Sequence, residues 1–325
     1  YINTNYLRIN AKKMNAILFP GQGSQIPGMG KDFYNNFEIV KKIFKEADEK
    51  LNYKISKIIL EGPEDKLKLT QNTQPAILTV SYAIFSVLKQ EYNFDFKSTK
   101  FFAGHSLGEY SALVCSESLK FNDALFLLFE RGKSMQEAVP VGKGSMIAVL
   151  GSKIDEINDL IKKIKIKGAC EVANDNAEGQ TIISGDIESI NSLKNILKEN
   201  KKKFIPLNVS APFHCSLMSP AANKMKEKIN LVNFTKPKFD IVSNVTSKPE
   251  NNPEDIKKLL VDQICSTVRW RESIIYMSKE NVNNFIEIGP GKVLSGMVKR
   301  TVKNINSFSL NSIDDMKKII DESKK

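Results

Sequence analysis

Gly104-His105-Ser106-Leu107-Gly108 follows a short run, Lys100 to Ala103, and precedes a helix-compatible stretch, Glu109 to Cys115. A strand that stops, a turn bearing serine and a helix that begins beneath it make a nucleophile elbow, the signature of an α/β enzyme. Glycine flanks the serine because a side chain there would meet neighbouring backbone as the chain reverses. The turn pushes Ser106 outward, and the N-terminus of the following helix offers N–H groups to an anion.

A serine nucleophile needs a base, and the chain has only two histidines. His105 adjoins the serine, where the turn points its side chain elsewhere. The other is His214, within Ser210-Ala211-Pro212-Phe213-His214-Cys215. If histidine activates Ser106, His214 is selected by elimination, and its place downstream matches the serine-before-histidine order of elbow enzymes.

Outward from the elbow the pattern stays α/β. An apolar run, Asn15 to Phe19, ends at the turn-rich loop Pro20-Gly21-Gln22-Gly23-Ser24-Gln25, placed where open α/β sheets hold their sites. Helical periodicity covers Phe37 to Leu51, Pro75 to Tyr92 and Asn122 to Met135. From 142 to 209 the order changes to strand (Ser145 to Leu150), helix (Ile154 to Ile164), strands (Cys170 to Ala173, Thr181 to Ser184), helix (Ile187 to Lys198) and strand (Phe204 to Val209). That β-α-β-β-α-β order is ferredoxin-like. The expected architecture is therefore an α/β-hydrolase-like large subdomain, residues 14–141 and 210–325, with an inserted ferredoxin-like small subdomain, residues 142–209. A strand at Phe239 to Asn244, a helix at Glu254 to Cys265 and a strand at Asn284 to Ile288, followed by Gly289-Pro290-Gly291, complete the large part.

With 325 residues and 41% hydrophobic content the chain can bury a full core, and no apolar run reaches the ~18 residues of a membrane span. The four cysteines are scattered without a C-x-x-C pair, so neither a disulfide framework nor a metal site is expected. The net charge of +11 is spread over helical faces such as 161–167 and 198–203, and no nucleic-acid signature accompanies it.

Taken together, these residues resemble the malonyl-CoA:acyl carrier protein transacylases of bacterial-type (type II) fatty-acid synthesis. The resemblance runs in order through Phe19 to Gln25, Gly104 to Tyr110, Arg131-Gly132-Lys133, Met135-Gln136, Asn174-Asp175-Asn176, Gly179-Gln180, Pro212-Phe213-His214, Gln263, Val268-Arg269-Trp270 and Glu287 to Gly291. It implies Ser106 as nucleophile and His214 as base, with a backbone carbonyl near Gln263 orienting the histidine. It implies an oxyanion hole from the backbone N–H groups of Gln22 and Leu107. It implies that Arg131 grips the free carboxylate of a malonyl group, so that Arg131→Lys should lose malonyl selectivity with stability nearly unchanged. Phe213 would limit room beside the α-carbon, and Asn174, Asn176 and Gln263 would line the site near the substrate.

The resemblance further implies malonyl-CoA as substrate and an acidic acyl carrier protein as acceptor. No cofactor is expected beyond the coenzyme A thioester and the carrier's phosphopantetheine, and the protein should be a monomer. A basic chain fits steering toward an acidic carrier. The Lys/Asn-rich composition and the absence of an initiator Met suggest an imported plastid (apicoplast) enzyme, with a cytoplasmic bacterial enzyme as the alternative. The start near Met14 and the short lysine-rich end suggest a stand-alone protein over a domain of a larger synthase. A serine esterase or thioesterase would share the elbow, base and oxyanion hole but would have no use for Arg131. A non-catalytic relative would not need to keep both Ser106 and His214.

Overall fold

The structure, a computed structural model, describes residues 14–323 apart from Ile166 and Ser210. Tyr1, Ser210 at the head of the histidine stretch, Ile166 in the basic face 161–167, and the end of the expected large subdomain at 324–325 lie outside the described residues.

Among the described residues, ten strands form two sheets. The larger has the order β10 (Asn306–Leu310), β9 (Val282–Ile288), β1 (Met14–Phe19), β2 (Thr99–Gly104), β7 (Asp240–Val242) and β8 (Pro249–Glu250). All its pairings are parallel except β7 with β8. β1 lies between β9 and β2, and Ala16, Ile17, Leu18 and Phe19 are all 0% exposed, which is why its sequence is an unbroken apolar run without alternation. The helix Thr70–Gln90 is buried along most of its length against the helix Phe121–Glu137. Below the elbow strand, Phe102 stacks on Phe239 with ring centroids 4.6 Å apart and meets Phe19 at 5.7 Å. Burying such rings contributes about 2–3 kcal/mol each and holds β1, β2 and the segment leading into β7 in one layer.

The smaller sheet is antiparallel, with the order β4 (Cys170–Ala177), β5 (Gln180–Asp186), β3 (Gly144–Leu150) and β6 (Lys203–Pro206). This is the strand order the β-α-β-β-α-β reading requires. Period-2 alternation gives the sheet two different faces. Ile147, Val149 and Ile183 pack on Ile157, Leu160, Ile190, Leu193 and Leu197 of the helices Ile154–Ile161 and Ile187–Glu199. Their neighbours Met146, Ala148 and Ile182 turn the other way and join the large core.

Several expected boundaries move. β4 does not stop at Ala173 but continues through Asn174, Asp175 and Asn176 to Ala177, with register shifts on either side of Asn174 to Asp175. These polar residues read as a loop, yet Val268 N–H donates to Ala173 O at 2.8 Å and Asp175 N–H to Val268 O at 3.0 Å, so a segment of the large part supplies their partners. An ion pair between Arg271 and Asp175 at 2.9 Å reinforces the junction. β6 ends at Pro206, short of the expected Val209, and the long helix begins at Thr70, a turn before the expected Pro75. β7 covers only Asp240–Val242, and β8, β10 and the helices Ser219–Asn230, Trp270–Lys279 and Ile313–Ser323 were not expected.

Candidate active site

β2 ends at Gly104, and the helix Gly108–Cys115 starts four residues on. A Cβ on Gly104 would run into the backbone of Gly108, and one on Gly108 into the carbonyl of Phe19, so the turn closes only with glycine at both places. Ser106 is held at φ 53°, the left-handed region that a serine adopts only under constraint. Asn244 supplies that constraint: its Oδ1 accepts from Ser106 N–H at 2.7 Å while its Nδ2 donates to Gly104 O at 2.7 Å.

His214, also at positive φ (58°), reaches the serine from the far side of the chain. Its Nε2 lies 2.8 Å from Ser106 Oγ, and its Nδ1 lies 2.9 Å from the backbone carbonyl of Gln263. A carbonyl oxygen can only accept, so Nδ1 carries the proton and donates. Nε2 is then the lone-pair nitrogen that accepts from the serine O–H. Burial, and then the charge of Arg131, push the imidazole down to about 3, so the free site holds neutral histidine at pH 7. His105 turns away, as expected, with Nε2 2.8 Å from Asn176 Oδ1.

Arg131, on the helix Phe121–Glu137, is 1% exposed. Nη1 donates to Gln74 Oε1 at 2.8 Å; Nη2 donates to Gln263 Oε1 at 2.7 Å and to Ser106 Oγ at 3.2 Å. A guanidinium has five N–H groups. Three are thus engaged, and Nε has no partner among the described residues. The group is aimed at the nucleophile, stays cationic although burial lowers its pKa, and touches no carboxylate directly among the described residues. Arg131 is thus a buried, hydrogen-bonded cation, and its burial argues against the expectation that Arg131→Lys leaves stability nearly unchanged.

A cavity of about 410 Å³ opens over these groups, between the C-terminal edge of the parallel strands and the inner face of the small sheet. Gln22, Leu107, Asn174, Asn176 and Phe213 all line it, with Ser106, His214 and Arg131 at its floor. The backbone amides of Gln22 and Leu107 are taken by no acceptor among the described residues, as donors for an oxyanion must be. Gln263 differs from expectation: it is 0% exposed and lies behind the wall, wholly engaged with Arg131, His214, Glu109 and Ser106. It supports the site and does not line it.

Three supporting residues were missed from sequence. Gln74 sits in the polar run Thr70 to Gln74, all but Gln71 buried, although it precedes an apolar helix face; a run of uncharged polar residues inside a buried helix was the available signal. Asn244 and Glu109 read as a strand end and a helix first-turn acid, each an ordinary role.

Serine, neutral histidine with its tautomer fixed, two free amides and a buried cation beside the nucleophile can attack an acyl carbonyl and hold an anionic acyl group. A family model described as acyl transferase domain matches residues 17–321. A malonyl CoA-acyl carrier protein transacylase of Bacillus subtilis (strain 168) is 43% identical over 297 residues, covering 91% of this chain and 92% of the relative. The chain belongs to the malonyl-CoA:acyl carrier protein transacylases. Among solved structures, the acyl-carrier-protein S-malonyltransferase of Bartonella henselae superposes with TM-score 0.93 at 40% identity, covering 96% of this chain and 100% of the other. A malonyl-transacylase solved in complex with its type II PKS acyl-carrier protein gives TM-score 0.92 at 38% identity, covering 95% and 100%. The mixed α/β architecture of this transacylase, one parallel sheet with a separate antiparallel one, is thus that of its solved relatives. Among the described residues no helix is long and apolar enough to cross a membrane.

Proposed function

We propose that the chain transfers a malonyl group from malonyl-CoA to the phosphopantetheine thiol of an acyl carrier protein, by a ping-pong reaction through a malonyl-Ser106 intermediate, for fatty-acid elongation. His214 Nε2 takes the Ser106 proton as Oγ attacks the thioester carbonyl, and the amides of Gln22 and Leu107 hold the oxyanion. The tetrahedral species collapses, the C–S bond breaks, and the proton on Nε2 passes to the leaving coenzyme A thiolate. The carrier thiol then attacks the serine ester, giving its proton to His214 and regaining Ser106 in the reverse sequence. Arg131 binds the malonyl carboxylate, and Phe213 limits substituents at the α-carbon. Coenzyme A thioester and carrier phosphopantetheine enter as substrates, so the reaction as proposed has no resident cofactor.

The observation that carries this reading is Arg131: a buried guanidinium without a carboxylate partner among the described residues, 3.2 Å from the nucleophile. A hydrolase has no such requirement. Intact-protein mass after brief incubation with malonyl-CoA or acetyl-CoA, on wild type and Ser106→Ala, tests it. A malonyl adduct that needs Ser106 and disappears onto added carrier supports the transacylase; free malonate and coenzyme A accumulating at a comparable rate without carrier would establish a hydrolase.

The net charge of +11 supports an acidic carrier as the partner. Transfer to carrier should then weaken with salt more steeply than acylation by malonyl-CoA, and equal salt slopes would refute it. A single monomer mass in light scattering tests the oligomeric state. For the compartment, the Lys- and Asn-rich composition supports a plastid and the bacterial relatives support a bacterial cytoplasmic enzyme; the location of the tagged protein in its source cell decides.

A further inference from the structure

Glu109 has no part in the chemistry above, yet it is 3% exposed and sits in the first turn of the helix that follows the nucleophile. Its Oε2 accepts from Gln263 Nε2 at 2.7 Å and from Asn244 N–H at 3.3 Å. The titratable groups acting on it or feeling it are Arg131 and Tyr110. Gln263 therefore stands between unlike neighbours: Nε2 donates to Glu109 at 2.7 Å, with Ser106 O at 3.1 Å as a longer second acceptor, and Oε1 accepts from Arg131 Nη2 at 2.7 Å. An ionised carboxylate only accepts and a guanidinium only donates, so the carboxamide between them can stand one way round.

We propose that Glu109 is a positioning residue for acyl selectivity, which fixes the orientation of the Gln263 amide and so holds Arg131 beside Ser106 in the pose that grips an acyl carboxylate. This rests on the malonyl reading above. The His214 bond goes to the backbone carbonyl of Gln263, which a turn of its side chain leaves in place. Acyl selectivity and the orientation of the base are thus separable. Burial pushes the Glu109 carboxyl up to about 7 against the opposing pull of Gln263, Asn244 and Arg131. Protonated, it offers an O–H as well as lone pairs, so the charged acceptor that draws Nε2 is gone and the amide is left to the longer Ser106 O contact, which loosens Oε1 from Arg131.

Glu109→Gln tests the proposal with three readouts: Ser106 acylation by malonyl-CoA and by acetyl-CoA, labelling by a small uncharged fluorophosphonate, and a crystal structure. The malonyl-to-acetyl ratio should fall by roughly 10- to 100-fold, the size of one hydrogen bond to a charged group, while labelling changes far less. Combined with Gln263→Ala, the substitution should cost no further selectivity. An unchanged ratio, equal losses in labelling and malonyl acylation, or additive effects would overturn the proposal. Should Glu109→Gln not fold, wild type decides: its ratio should fall as pH drops through about 7, and a flat ratio counts against Glu109. If wild type forms no malonyl adduct, the functional reading fails by itself. The variant's crystal structure then tests Glu109 directly, since Arg131 should leave Gln263 Oε1, and an undisturbed Arg131–Gln263 bond would refute its role.

Discussion

Replacing Arg131 with lysine keeps the charge and removes the fork. In the free enzyme Nη1 is held by Gln74 and Nη2 by Gln263 and Ser106, at 2.8, 2.7 and 3.2 Å. A lysine ammonium is a single point of donation that cannot span both glutamines, so one buried carbonyl loses its partner, at a cost of about 1–3 kcal/mol of stability. Malonyl acylation should suffer separately. A bidentate carboxylate contact reduced to one hydrogen bond forfeits about 1.5–3 kcal/mol, or roughly 10- to 150-fold in kcat/KM, whereas an acetyl group has no carboxylate to lose. Single-turnover acylation by the two thioesters, followed by intact mass, gives the ratio, and urea denaturation gives the stability. A variant that keeps the wild-type malonyl-to-acetyl ratio, or loses both acylations equally, would refute the reasoning about the carboxylate. One that is destabilised by less than the measurement error would refute the reasoning about the glutamines.

Other outcomes follow from the same geometry. His214 is neutral when folded, with its pKa pushed from 6.5 to about 3, so unfolding takes up a proton between those values. Its contribution is therefore complete above pH 6.5 and lost as pH falls toward 3, and the stability advantage of wild type over His214→Gln in urea should shrink across that window; a constant difference would contradict it. Phe213→Ala should raise kcat/KM for methylmalonyl-CoA relative to malonyl-CoA by about 10-fold or more, at a stability cost of about 3 kcal/mol. No change in that ratio removes Phe213 from the specificity wall. Gly104→Ala places a methyl against the Gly108 backbone and should abolish cooperative thermal unfolding, as followed by calorimetry.

What the sequence revealed and what it hid divide along a physical line. The elbow, the base and the small sheet were legible because each depends on local pattern: glycine spacing around Ser106, the scarcity of histidine, and the β-α-β-β-α-β succession from Ser145 to Val209, whereas the order of the large sheet, set by long-range pairings, was not. Asn174 to Asn176 misled because Val268, which pairs with them, is remote in sequence, and because Asn174 and Asn176 are polar for the cavity they line while Asp175 is polar for its ion pair with Arg271. Arg131 could be assigned to a site from the resemblance, but its burial could not, since the glutamines that accept from it lie 57 and 132 residues away. Edge strands β8 and β10 are short and half-polar, so no periodicity announces them.

β3 has a use beyond holding the small sheet together. Its odd-numbered residues Ile147 and Val149 bind the two helices, while even-numbered Met146, like Ile182 on β5, faces the cavity. A change of side-chain size at 146 or 182 therefore alters the space offered to an acyl chain without touching the helix packing that folds the subdomain. Evolution or a designer can vary the acyl group accepted on one side of a ribbon whose other side stays constant, which makes these two positions the place to begin in broadening the enzyme's substrate range.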